Sequence, residues 1–163
     1  MRRDRREREF TEFFAATAPA LRRTAYVVVR DWHVAEDLTQ QALAKLYVAW
    51  PRVREDTRMA YARRVVVNEC LSHLRRHRPE TPTEHLPDRA APDPVVRDGL
   101  GQVLAGLPPR QRAIVALRFF DDLPVSEVGR LLGIADGTVK SQTHRALETL
   151  RQQLPHLTLE EIR

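Results

Sequence analysis

The sequence predicts an all-α protein: two small helical domains joined by a Pro-rich linker. Three observations carry this. Apolar residues recur at three- and four-residue steps on both sides of the middle of the chain. No β alternation persists anywhere, and no internal repeat is present. Residues 79–94 hold five of the eleven prolines, four acids and one base, Arg89, a composition that denies a segment both helix and core. At 163 residues the chain is short for two full-sized domains and sufficient for two small ones.

The first helical part covers residues 7–78. Phe10, Phe13 and Phe14, then Leu21, Ala25, Val28 and Val29, define one apolar face, with Pro19 predicting a kink or break within it. A second helix is expected from about Val34 to Trp50, carrying Leu38, Ala42, Leu43 and Leu46 and ended by Pro51. A third should run from Arg58 to Arg76, with Tyr61, Val65, Leu71 and Leu74 as buried candidates. After the linker (79–94), helical periodicity returns over residues 95–153. Gly106 to Pro109, Asp121 to Pro124 and Gly133 to Gly137 divide that part into four short helices.

Composition excludes several classes. No apolar run approaches the ~20 residues of a membrane span, so no membrane association is expected. The opening Met1-Arg2-Arg3-Asp4-Arg5-Arg6 lacks the apolar stretch of a secretory signal. Cys70 is the single cysteine, which leaves no disulfide framework and no cysteine-clustered zinc site. Net charge is +5, and Lys45 and Lys140 are the only lysines among 27 basic residues. Arginine suits phosphate forks. A soluble, cytoplasmic protein with a polyanionic partner is expected.

Val125 to Leu147 is the most informative stretch. A helix-turn-helix needs a small residue where its helices touch, a glycine in the turn and apolar inner faces. Gly129 and Gly133 fill the first two roles. Val128, Leu131, Leu132, Ile134, Val139, Ala146 and Leu147 fill the third, with Ile134 spaced to staple onto Val139. The outward face of the second helix is then Thr138, Lys140, Ser141, Gln142, His144, Arg145 and Glu148. It offers hydrogen-bonding groups and fixed cations without a large apolar group, as a recognition helix presents to a major groove. The alternative for the same residues is the solvated face of an ordinary helical hairpin.

Ala35-Glu36-Asp37-Leu38-Thr39-Gln40-Gln41 opens an amphipathic helix with an acidic and amide head. Physically this is a capped core helix. Its pattern also resembles the A-E-D-L-x-Q-E segment of the extracytoplasmic-function (group IV) sigma factors of bacterial RNA polymerase, in the sigma-70 superfamily and of the sigma-E-like actinobacterial type. In that family the helix grips the clamp of the polymerase, which implies polymerase binding by Glu36, Asp37, Gln40 and Gln41. Gln41 stands where an acid is usual and Tyr47 where tryptophan is.

Tyr61 to Arg76 resembles the helix with which the family melts and reads the minus-ten promoter element. The resemblance implies DNA contacts by Tyr61, Arg64, Asn68, Ser72, Arg75 and Arg76. Residues 54–78 carry seven arginines against three acids, a balance suited to tracking a phosphate backbone. Leu107-Pro108-Pro109-Arg110-Gln111-Arg112 resembles the family's L-P-x-x-x-R, and Gly137 to Ser141 its G-T-V-K-S. Together these imply minus-thirty-five contacts by Thr138, Lys140, Ser141, Gln142, His144 and Arg145. Pro124 replaces the usual Ser/Thr cap; it suits a helix start but has no side chain to cap with.

The implied architecture is sigma domain 2 (7–78), an acidic linker (79–94) and sigma domain 4 (95–153). The implied function is binding core RNA polymerase and directing promoter-specific initiation on promoter DNA, with an anti-sigma factor as a further partner. No catalytic residue, metal or other cofactor is expected. His73 and His77 lie four apart without a third ligand, and no nucleophile–base pair or paired-carboxylate constellation stands out. His144 reads as a base or phosphate contact, and Cys70 as a small core residue. The rival reading is a stand-alone helix-turn-helix regulator.

Overall fold

A computed structural model describes residues 2–77, 100–156 and 158. The linker expected at 79–94 lies outside them. Seven α-helices follow in order: α1 (Arg2–Val29), α2 (Trp32–Ala49), α3 (Arg58–Arg76), α4 (Leu100–Gly106), α5 (Pro109–Val115), α6 (Val125–Leu132) and α7 (Asp136–Gln153). Short 3₁₀ turns join α2 to α3, and a π-helical turn, Ala116–Phe120, extends α5. Among the described residues there is no strand.

Helices α1, α2 and α3 pack on one another. Leu38, Ala42, Leu43 and Leu46 bury the inner face of α2, as its periodicity predicts, and Trp50 is buried just past its end. Arg58 caps this core with its guanidinium 3.8 Å from the centre of the Trp50 ring. Asp31 starts α2 by accepting a hydrogen bond from the Val34 amide at 3.0 Å. The helix therefore begins before the acidic head expected to open it, and no acid lies in its first turn.

Two expectations are corrected here, a break of α1 at Pro19 and the buried face of α3. Pro19 does not break α1, which runs unbroken from Arg2 to Val29. Pro19 and Ala15 are both exposed, so the Ala15 carbonyl that loses its helical partner faces water. Within α3, the deeply buried residues are Ala62, Val66, Val67 and Cys70, while Tyr61, Val65, Leu71 and Leu74 are only partly buried. Both sets have helical spacing. The packing against α1 and α2 chooses between them.

In the second part, α5, α6 and α4 pack against α7. Pro109 occupies the first turn of α5, where a missing N–H costs nothing. The two parts also touch: α1 and α3 pack on α5, α1 packs on the π-helical turn, and α3 packs on α6.

Candidate nucleic-acid interface

The turn between α6 and α7 is built as its glycines require. A Cβ on Gly129 would sit 2.8 Å from the Ile134 carbonyl oxygen, so the helices meet only over a hydrogen. Gly133 takes φ +68°, and the Ile134 amide donates back to the Gly129 carbonyl at 3.0 Å, closing α6. Pro124 stands at the N-cap of α6 without a side-chain bond, as expected. Val139, Ala146 and Leu150 seat α7 on the core. Thr138, Lys140, Ser141, His144, Arg145 and Glu148 are exposed on the other side.

Gln142 departs from that face. It is half-buried, and its side-chain carbonyl accepts from Gln111 Nε2 at 2.9 Å. The bond ties α7 to α5 and occupies the acceptor a base would use. The Ser141 hydroxyl donates to the Thr138 carbonyl at 3.1 Å, and His144 Nε2 lies 3.6 Å from Glu148. Lys140 and Arg145 are the cations presented outward.

On α3, Tyr61, Arg64, Asn68, Ser72 and Arg75 lie three or four residues apart and share one side of the helix. Arg64, Asn68, Arg75 and Arg76 are exposed, while Tyr61 and Ser72 are half-buried. Arg75 donates to the Ser72 hydroxyl at 3.1 Å. The stripe does not face open solvent along its length. Asn68, Ser72 and Arg75 line a cleft of about 700 Å³ whose far wall is Pro108, Pro109, Arg110 and Leu132. Tyr61 and Arg64 line a second cleft, facing Leu123, Glu127, Arg130 and Leu131. At the end of α3, His73 and His77 stack with ring centres 4.1 Å apart, and His77 Nδ1 lies 2.9 Å from the His73 carbonyl. Burial, then the charge of His77, lowers the His73 pKa. Among the described residues no group of three or more His, Cys, Asp or Glu is placed to hold a metal.

On α2, Asp37, Gln40 and Gln41 are exposed. Glu36 is engaged within the chain: Arg22 donates to it at 2.7 Å and Gln40 at 3.3 Å. The Arg22 guanidinium holds its carboxyl below the usual range. Val48, 77% exposed, prolongs the outward stripe through Asp37, Gln41 and Ala44. A lone valine at a solvent-facing helix position was the available signal for it.

Sequence reasoning also missed the polar groups between the two parts. Arg112 is 7% exposed. Its Nε donates to the Val28 carbonyl at 2.7 Å, and its Nη1 donates to the Leu107 and Ala105 carbonyls at 2.8 and 3.1 Å. Burial, with Arg30 adding like charge, pulls its pKa down to about 10, so it remains a cation at neutral pH. The Asp121 side chain is 3% exposed; it accepts from the Thr24 hydroxyl at 2.9 Å and lies 3.7 Å from Arg63 Nε.

Comparison with known proteins agrees with this geometry. The family description "Sigma-70 region 2" matches residues 13–80 and "Sigma-70, region 4" matches residues 103–152. The RNA polymerase sigma-E factor of Streptomyces coelicolor is 40% identical over 153 residues, covering 90% of this chain and 86% of the relative. The ECF RNA polymerase sigma factor SigW of Bacillus subtilis is 28% identical over 154 residues, covering 81% of each. Among solved structures, the sigma factor RpoE of Bartonella quintana, in complex with the anti-sigma factor NepR, shares the fold. Its TM-score is 0.73 at 21% identity, over 92% of this chain and 99% of that one.

The class is that of the RNA polymerase sigma factors, helical initiation factors that pair a region 2 with a region 4. Within it, the chain belongs to the extracytoplasmic-function group of the sigma-70 family. Its partners are core RNA polymerase and promoter DNA.

Proposed function

We propose that three exposed faces divide the work of promoter-specific initiation. Asp37, Gln40 and Gln41 on α2 grip core polymerase, with Glu36 holding Gln40 in place. Tyr61, Arg64, Asn68, Ser72, Arg75 and Arg76 on α3 take the minus-ten element. Thr138, Lys140, Ser141, His144 and Arg145 on α7 enter the minus-thirty-five major groove, and Gln142 braces that helix from behind. The observation that carries this is the pairing, in one chain, of a helix-turn-helix bearing an outward cationic face with a second, arginine-rich helix. One face alone would suit a simple repressor; two suit a factor that bridges two promoter elements.

The same reading keeps residues 7–78 and 95–153 as the two functional domains and 79–94 as their linker. It gives the chain no reaction, metal or cofactor of its own and places its work in the cytoplasm. No helix among the described residues is long and apolar enough to cross a membrane. The neighbour solved with an anti-sigma factor supports a partner of that kind as a regulator.

Run-off transcription tests the division of work. The chain added to core polymerase should give discrete transcripts from a subset of promoters. Duplex binding of equal specificity without polymerase, and no transcript with it, would favour a stand-alone regulator.

A further inference from the structure

The two clefts beside α3 differ in charge. In the larger one, Arg75 stands on the α3 wall and Arg110 of α5 on the other, and no carboxylate among the described residues lines it. The smaller cleft sets Asp56 and Glu127 among its arginines. Arg110 is exposed and makes no hydrogen bond or ion pair with another described residue. Arg75 is steadied by the bond from its Nη2 to the Ser72 hydroxyl at 3.1 Å, which leaves Nε and Nη1 of its fork for another acceptor. Two guanidinium groups on facing walls repel unless an anion lies between them, and the forked donors of arginine suit a phosphate.

The rest of the lining says what the phosphate is attached to. At about 700 Å³ the cleft falls within the range of small-molecule sites, about 300–1,000 Å³, and a bare phosphate would fill little of it. Leu71, Leu74 and Leu132 line it and are only half-buried, so a body filling the cleft would take their remaining apolar surface out of water. Asn68 adds an exposed amide with both donors and an acceptor. That pair matches the edge of a base, whereas an acyl chain would cover it without a partner. Charge separates a free nucleotide from one within a strand. Each phosphate of a polynucleotide carries a single negative charge, while a terminal phosphate monoester carries about −1.5 to −2 at pH 7. The second matches two guanidinium groups.

We propose that this cleft binds a free nucleotide, its terminal phosphate between Arg75 and Arg110 and its base against Leu71, Leu74 and Leu132, read by Asn68. Asn68 and Arg75 also belong to the minus-ten face, so nucleotide and promoter strand exclude each other there. The exclusion rests on the reading of α3 as that face; the binding does not.

Calorimetric titration of the full chain with adenosine and guanosine 5′-monophosphates tests it, and should show a single saturable site. Adenosine and inorganic phosphate, each carrying part of the ligand, should bind at least about tenfold more weakly. Arg110→Ala removes an exposed side chain that holds nothing in the fold, and should weaken the nucleotides about tenfold or more. Arg130→Ala, in the smaller cleft, should leave them unchanged. No saturable binding overturns the site, and so does equal weakening by the two variants. Inorganic phosphate or a long-chain acyl phosphate binding as tightly as the nucleotides overturns the ligand class. Single-stranded DNA in excess, from the non-template strand of a promoter the holoenzyme transcribes, should displace the nucleotide; a nucleotide that stays bound overturns the exclusion. Arg64→Ala, outside this cleft, assays the α3 reading separately in holoenzyme run-off. Full activity there removes that reading and leaves the titration to stand on its own.

Discussion

Single side chains on α7 have distinguishable jobs. Arg145 is exposed and carries a fork able to bridge two acceptors on a guanine edge. If it reads a base, Arg145→Ala should cost about 1–3 kcal/mol at one upstream position and leave other positions unchanged. If Lys140 contacts only phosphate, Lys140→Ala should weaken all promoters alike and reduce the salt slope by about one unit. Holoenzyme binding to promoter variants at several salt concentrations separates the two. Cys70 makes a prediction of another kind. Burial, then the charge of Glu69, raises its thiol far above the ordinary range, and the thiolate is the reactive form. Native protein at neutral pH should resist a maleimide that modifies Cys70 promptly after denaturation; rapid native labelling would contradict its burial.

At the scale of elements, the two glycines around the turn should respond oppositely to alanine. At Gly129 the added Cβ meets a backbone carbonyl at 2.8 Å, and relieving such a contact should destabilise the fold by about 1–3 kcal/mol. At Gly137 nothing lies within 4 Å and φ is ordinary, so Gly137→Ala should stabilise by about 0.4–1 kcal/mol, by restricting the unfolded chain. Thermal melts of the two variants check both signs. Asp31 is the corresponding device on α2. Losing its bond to the Val34 amide in Asp31→Ala should cost about 0.5–2 kcal/mol, readable in urea midpoints. Asp37→Ala with Gln40→Ala, by contrast, touches an exposed face, so polymerase affinity should fall with helix content unchanged.

For the whole molecule, stability should depend on pH through the contact between its two parts. Asp121 faces the Thr24 hydroxyl and the charges of Arg63 and Arg23, which favour its ionised form, but burial outweighs them and raises its pKa from the ordinary value. A raised carboxyl binds a proton more readily in the folded state than in the unfolded one. Its contribution to stability is therefore full below the ordinary aspartate value and is lost as pH rises through the raised one. Urea midpoints followed upward from about pH 4 should show that loss, and Asp121→Asn should flatten it. Equal profiles for the two proteins would show that another group controls the dependence.

Within each helix, much was legible from the sequence. An all-α chain, the bounds of α3, the inner face of α2, and the glycines of the α6–α7 turn all follow from periodicity and from backbone sterics. Such signals are local, because neighbours on a helix lie three or four residues apart. Gln142 was misread because helical spacing marks a side without saying what packs on it; only the placement of α5 brings Gln111 to its carbonyl. The same holds for which side of α3 is buried, and for the survival of α1 through Pro19. The groups joining the two parts were beyond any spacing rule. Thr24 and Asp121 are 97 residues apart, and Val28 and Arg112 are 84. The sequence by itself determined the helices and the chemistry of their exposed faces. Tertiary structure alone decided that α3 packs against α5 and α6 of the other half of the chain, because a buried hydrogen bond between distant segments exists only once both surfaces have met.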